Sequence, residues 1–156
     1  MKNQTKKVLS YLILFFGIVA TLMLLLSAMA FPDSDANFTG FEIVFGTEFA
    51  NLGGFVTGHI VWNILGVLAY MLPIAAGVVA VFVKKGVILS IVLFVAGAML
   101  LLWMPDYTKT TITVGSLTSE IDVAWTLSFG LITAVVFSFA GALSSLVLVA
   151  YNTQKA

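Results

Sequence analysis

Four apolar runs, residues 8–31, 56–83, 87–104 and 123–151, hold none of the chain's aspartates, glutamates, lysines or arginines. Runs of this length match the roughly 30 Å hydrocarbon core of a bilayer. A charge-free stretch that long has few other stable environments. The chain of 156 residues is 61% hydrophobic and 9% charged, with mean hydropathy +1.13. Soluble domains carry about a quarter charged residues. The expectation is an all-α integral membrane protein. It forms one domain over residues 1–156, an up-down-up-down bundle of four transmembrane helices. Outer loops over 32–55 and 105–122 make a small cap in which a short β-hairpin can form.

The formal net charge is zero, yet the charges are sorted by segment. Lys2, Lys6 and Lys7 precede the first run, Lys84 and Lys85 separate the second from the third, and Lys155 follows the fourth. None of these segments holds an acid. All seven acids lie in the other two loops, with Lys109 as the only base beside them. Lysine on the cytoplasmic side orients multi-pass proteins. Both termini are therefore expected in the cytoplasm of a cell whose plasma membrane holds the chain, with the lipid bilayer as its first partner. Nucleic acid is not an expected partner. Ala28-Met29-Ala30 after the first run has the form of a signal-peptide cleavage site. The run is longer than the usual 7–15 residue apolar region, so it reads as a retained anchor.

The fourth run carries Thr126, Gly130, Ala134, Ser138 and Ala142 at i+4 spacing, a ridge of small residues on one helical face. Such ridges let membrane helices approach closely. Pro73 bends the second run, because it has no N–H to give the carbonyl of Ala69. A tight turn at Lys84-Lys85-Gly86 sets the second and third runs antiparallel and places Pro73 opposite about Gly97. In the first outer loop Phe38, Phe41, Phe45 and Phe49 sit among acids, as candidate partner contacts or as side chains folded onto the bundle. Alternation over 41–45 suggests a short strand, and Thr47 a cap for a helical turn. In the second loop, β-branched residues flank Gly115-Ser116, which predicts a hairpin that can pair with 41–45. Trp62, Trp103 and Trp125 fit an outer interfacial belt.

Most chemistry is excluded by residue type. There is no cysteine and no arginine. Thiol chemistry and thiolate metal sites are absent, and so are guanidinium forks for phosphate. No acid or base lies in a run, as ion-coupled transport would need. His59 is the single histidine, and it lies at the opposite end from Ser144-Ser145, which argues against a serine–histidine pair. Asp33-x-Asp35-x-Asn37 begins like a calcium loop, but Phe38 and Val44 stand where Gly and Glu are required. No catalytic residue, cofactor or metal ligand set is expected. His59 and Asn63, four apart near the outer end of the second run, are the candidate polar site.

In topology this layout resembles the claudin-like tetraspan proteins: four helices, cytoplasmic ends, a longer first outer loop and outer strands. The claudin W…GLW…C…C signature is absent, so no function is carried over. Lysine without arginine or cysteine, the loop GFEIVFG at 40–46 and the Leu72-Pro73 kink look similar to small four-helix membrane proteins of low-GC Gram-positive bacteria and mollicutes. That likeness implies no activity. Two functions stay open. One is a non-catalytic accessory subunit or scaffold that binds a membrane-protein partner or a second copy of itself. The other is a small transporter or oligomeric pore for an apolar or neutral solute, lined by His59, Asn63, Tyr70, Ser90, Thr133 and Ser138.

Overall fold

The computed structural model describes residues 2–32, 35–83 and 86–153, without the side chains of Lys2 and Asn3. The Lys84-Lys85 turn, Asp33 and Lys155 lie outside the described residues. In chain order the elements are α1 (Lys2–Leu22) with a 3-10 turn (Met23–Leu25), β1 (Ser27–Ala30), β2 (Asn37–Thr39), α2 (Gly40–Phe45), β3 (Thr47–Leu52) and β4 (Val56–Ile60). There follow α3 (Ile64–Phe82), α4 (Val87–Leu102), α5 (Met104–Tyr107), β5 (Thr110–Val114), β6 (Leu117–Ile121), β7 (Thr126–Leu127) and α6 (Phe129–Thr153).

Four long helices pack side by side, α1 and α4 each lying between α3 and α6. Three stretches, Gln4–Leu25, Ile64–Phe82 and Phe129–Thr153, are long and apolar enough to cross a membrane. The 16 residues of α4 are apolar but shorter, about 24 Å at 1.5 Å per residue.

The all-α expectation is overturned. The described residues are 63% helix and 21% strand, with antiparallel sheets of three and four strands, and form an α/β fold. The strands take the ends of three apolar runs. Ser27–Ala30 leaves the first helix because Leu26 is already extended (φ −101°, ψ 165°) and β1 pairs with β2 on one side and β7 on the other. Val56–Ile60 is a strand held between β3 and β5, and α3 begins eight residues later than expected of the second run, at Ile64. Thr126 sits on β7, so the small-residue ridge begins only at Gly130. β1 and β4 each lie between two neighbours, so their ladders satisfy the backbone as a helix would, whereas β7 is an edge strand paired with β1 alone.

The loops also differ from expectation. Residues 40–45 form a helix, not a strand, started by a capping box: Glu42 N–H donates to Thr39 Oγ1 at 3.2 Å, and Thr39 N–H to Glu42 Oε2 at 2.8 Å. Thr47 opens β3 rather than a helical turn. The hairpin at Gly115-Ser116 is present, with Val114 opposite Leu117 and Gly115 at φ 62°, but it adds to β4 rather than to residues 41–45.

The four-stranded sheet, in the order β3-β4-β5-β6, has two distinct faces. One carries the rows Glu48-His59-Thr111-Glu120 and Asn51-Thr57-Thr113-Thr118. The other carries Ile60-Thr110-Ile121 at the helix end, then Ala50-Gly58-Ile112-Ser119, then Leu52-Val56-Val114-Leu117 at the tip. Ile60 and Thr110 are buried. Phe49, at the bulge of β3, lays its ring over Gly58, where a Cβ would collide with it. Phe49 also meets Phe31, which stacks on Trp125 at 4.9 Å. These rings and Phe38 form the core beneath the sheets, with Tyr70, Leu101 and Leu131. A second core at the other end gathers Ile13, Ala76, Phe94 and Leu148.

Candidate functional site

Among the helices the closest approach is built around Pro73. A Cβ at Gly17 of α1 would collide with the Pro73 carbonyl, and one at Gly97 of α4 would lie 3.0 Å from Pro73 Cδ. Pro73 is thus clasped between two glycines. Thr21 Oγ1 donates to the carbonyl of Tyr70 at 2.7 Å, one residue past the carbonyl that Pro73 leaves without a donor. Neighbouring hydroxyls commonly settle backbone loosened by proline in this way.

The ridge on α6 does not serve one neighbour. A Cβ on Gly130 would stand 2.7 Å from the carbonyl oxygen of Ser27, so this glycine admits β1 rather than a helix. Ala134 belongs to the core under the sheets, and Ala142 to the core at the far end. Ser138 is buried, and its hydroxyl returns to the Ala134 carbonyl at 2.8 Å. Gly141, off the ridge, faces the Phe94 ring.

His59 and Asn63 do not share a helical face. His59 lies on β4, on the polar face of the sheet, with Nε2 3.5 Å from Glu48 Oε2 and both side chains nearly half exposed. Asn63 is the N-cap of α3: Oδ1 accepts from Leu65 N–H at 3.0 Å and Gly66 N–H at 3.3 Å, and Nδ2 donates to the Tyr107 carbonyl at 3.4 Å. A groove of about 440 Å³ runs beside Asn63, edged by Trp62, Leu65, Asp106, Tyr107 and Lys109. Lys109 is tied to Glu120 at 2.8 Å, and that partner raises its pKa above the lysine range. Burial pushes the Tyr107 phenol up, and its hydroxyl donates to the Leu100 carbonyl at 2.8 Å.

The four candidate phenylalanines separate. Phe38 is buried and Phe49 packs against it in the ring cluster. Phe41 and Phe45, on α2, are half exposed and touch each other at 4.5 Å. Trp62 and Trp103 are exposed, whereas Trp125 is buried rather than part of a belt.

The named polar residues form no continuous track. Tyr70, Ser90 and Ser138 are fully buried, and Ser90 and Ser145 meet hydroxyl to hydroxyl at 3.3 Å inside apolar surroundings. Tyr70 Oη, Thr110 Oγ1 and Trp125 Nε1 are buried with no hydrogen-bond partner among the described residues. Among those residues no group of three or more His, Asp or Glu side chains is placed to hold a metal ion.

The most exposed apolar surface outside the helices is the sheet tip, which inspection of the sequence did not single out. Phe55 is 78% exposed, Leu117 75%, Leu52 70% and Val114 54%. Two turns meet there, with Gly115 N–H donating to the Phe55 carbonyl at 2.8 Å. The sequence signal was the pair of glycine turns, Gly53-Gly54 and Gly115-Ser116, each flanked by apolar residues. The chain matches no protein-family model, and it has no significant match among curated proteins or solved structures.

Proposed function

We propose that the chain is a multi-pass plasma-membrane protein with both termini in the cytoplasm. It acts as a non-catalytic accessory subunit whose sheet tip contacts the outer part of another membrane protein. In this reading α1, α3, α4 and α6 cross the bilayer, and residues following α4 extend its reach. Charge sorting along the sequence supports the orientation, since all seven acids share two segments with Lys109 and the other six lysines lie in the remaining three. The half-exposed Phe41 and Phe45, with Trp62 and Trp103, then belong to the headgroup layer.

One observation carries the functional part. The apolar face of the four-stranded sheet is covered at its base by the aromatic core, but it continues past that cover to Leu52, Val56, Val114 and Leu117. Contiguous exposed apolar surface of this kind marks interaction sites more often than isolated side chains do. The interior favours the same reading over transport, because the buried hydroxyls of Ser90, Ser138 and Ser145 among the helices are settled by nearby oxygens.

The test is native mass after gentle extraction from the source membrane, comparing the unaltered chain with the double variant F55S/L117S. A membrane protein retained at fixed stoichiometry by the unaltered chain, and lost by the variant at unchanged thermal stability, supports the reading. A bare monomer, or a partner retained by the variant, contradicts it.

A further inference from the structure

At the end opposite the sheets, a cavity of about 310 Å³ lies between α1 and α3, lined by Lys6, Lys7, Ser10, Tyr11 and Val81. It has a structural cause. The two helices touch backbone to backbone where Gly17 meets Pro73, and again where a Cβ on Gly77 would stand 2.8 Å from Leu14 Cα. Toward the start of α1 no glycine follows, and the larger side chains of Ser10, Tyr11 and the two lysines take over the contact face. The helices part there and leave the cavity.

Its lining is chemically one-sided. Lys6 and Ser10 are one helical turn apart, as are Lys7 and Tyr11, so two ammonium groups and two hydroxyls share one side of α1. Neither lysine has a carboxylate partner, and neither hydroxyl a hydrogen-bond partner, among the described residues. Every acidic side chain in the sequence belongs to the segments at the sheet end. The site therefore offers positive charge and hydroxyl donors, with no side-chain anion to neutralise them. Beyond it both helices expose apolar side chains: Val8, Leu12 and Phe15 on α1, Val78 and Phe82 on α3.

We infer that this cavity binds the phosphate of an anionic phospholipid in the cytoplasmic leaflet. The lysines neutralise the phosphate, Ser10 and Tyr11 donate to its oxygens, and the acyl chains lie along the exposed apolar residues. Basic pockets between helices on this side of a membrane suit anionic headgroups, and each lysine near such a surface contributes about fivefold in affinity. The apolar flank favours a lipid over a free phosphate ion. This assignment rests on the membrane orientation proposed above. Resistance of the unaltered chain to carbonate extraction tests its membrane insertion separately, and the accessibility of single cysteines from outside intact cells tests its orientation.

The experiment reconstitutes the full chain in equal parts of phosphatidylglycerol and phosphatidylcholine, and measures by native mass spectrometry which lipid stays bound. The unaltered chain should retain phosphatidylglycerol preferentially. The double variant K6Q/K7Q should lower that preference tenfold or more, at about fivefold per lysine, and K6R/K7R should keep most of it. The double variant S10A/Y11F leaves the charge untouched and should lower it about fivefold, the loss of two modest hydrogen bonds. Unchanged preference in K6Q/K7Q would overturn the assignment. Unchanged preference in S10A/Y11F would do the same, leaving only diffuse attraction of lysine for an anionic surface. Binding of inorganic phosphate that displaces the lipid at millimolar concentration would reassign the cavity to a soluble anion.

Discussion

Two tyrosines in this chain, Tyr70 fully buried and Tyr107 partly buried, have opposite expectations. Tyr107 gives its hydroxyl to the Leu100 carbonyl, whereas Tyr70 Oη has no partner among the described residues. Tyr107→Phe should therefore lower stability by about 1 kcal/mol, the net value of a typical hydrogen bond. Tyr70→Phe should leave stability unchanged or raise it by about 1 kcal/mol, since it removes an uncompensated buried hydroxyl. Thermal unfolding in one detergent reads both; a loss in Tyr70→Phe matching that in Tyr107→Phe would show the Tyr70 hydroxyl is satisfied after all. Burial holds the Tyr107 pKa above that of the unfolded chain, near 10. Its contribution is complete below pH about 10, where both states are protonated, and is lost as pH rises further and the unfolded chain alone releases the proton. Tyr107→Phe should flatten the alkaline limb of the stability curve. Gly130 is a third residue with a sharp expectation. Gly130→Ala places a Cβ 2.7 Å from the Ser27 carbonyl oxygen, so α6 or β1 must move. Overpacking of this kind costs about 1–3 kcal/mol, and an unaltered melting temperature would contradict the close approach.

The elements divide by how far local pattern specifies them. The hairpin around Gly115-Ser116 was legible because its turn demands a residue at positive φ and β-branched residues flank it. The cores of α3, α4 and α6 were legible as long apolar runs. The ends of α1, α3 and α6 were not, because Ser27–Ala30, Val56–Ile60 and Thr126–Leu127 carry no charge and continue the same uncharged runs, and a short stretch of this kind suits either structure. What decides them is pairing with β2, β5 and β1, contacts that only the assembled fold supplies. Two local signals in the sequence mark the helix starts that form. Thr39-x-x-Glu42 is a capping-box pattern, and it started a helix where 41–45 alternates like a strand. Asn63 is a good N-cap, and it marks the true start of α3 inside an apolar run. The His59–Asn63 pairing failed for the same reason: with the boundary between them, one joins the sheet and the other caps the helix. Asn63→Ala should destabilise by about 1 kcal/mol through loss of the cap. His59→Gln should change stability by less than about 0.5 kcal/mol, as expected of a half-exposed surface position. A larger effect at His59 than at Asn63 in denaturant titrations would reverse these assignments.

At the scale of the molecule, the apolar helices and the strand-rich end are organised by the sorting of charge along the chain. The sheets stand over one end of the helices, where the acids are, and the lysine-lined cavity opens at the other. That polarity links the two proposed sites, a protein contact at the tip and a lipid contact at the opposite end. Both require that the helices span a bilayer with the sheets outside. The chain contains no cysteine, so single cysteines report their own position without background. The decisive measurement introduces Ser116→Cys at the exposed hairpin turn and Thr153→Cys at the exposed end of α6, then adds a membrane-impermeant maleimide to intact cells. Ser116→Cys should be labelled in intact cells, and Thr153→Cys only after permeabilisation. Labelling of Thr153→Cys in intact cells, or of Ser116→Cys only after lysis, would contradict that arrangement.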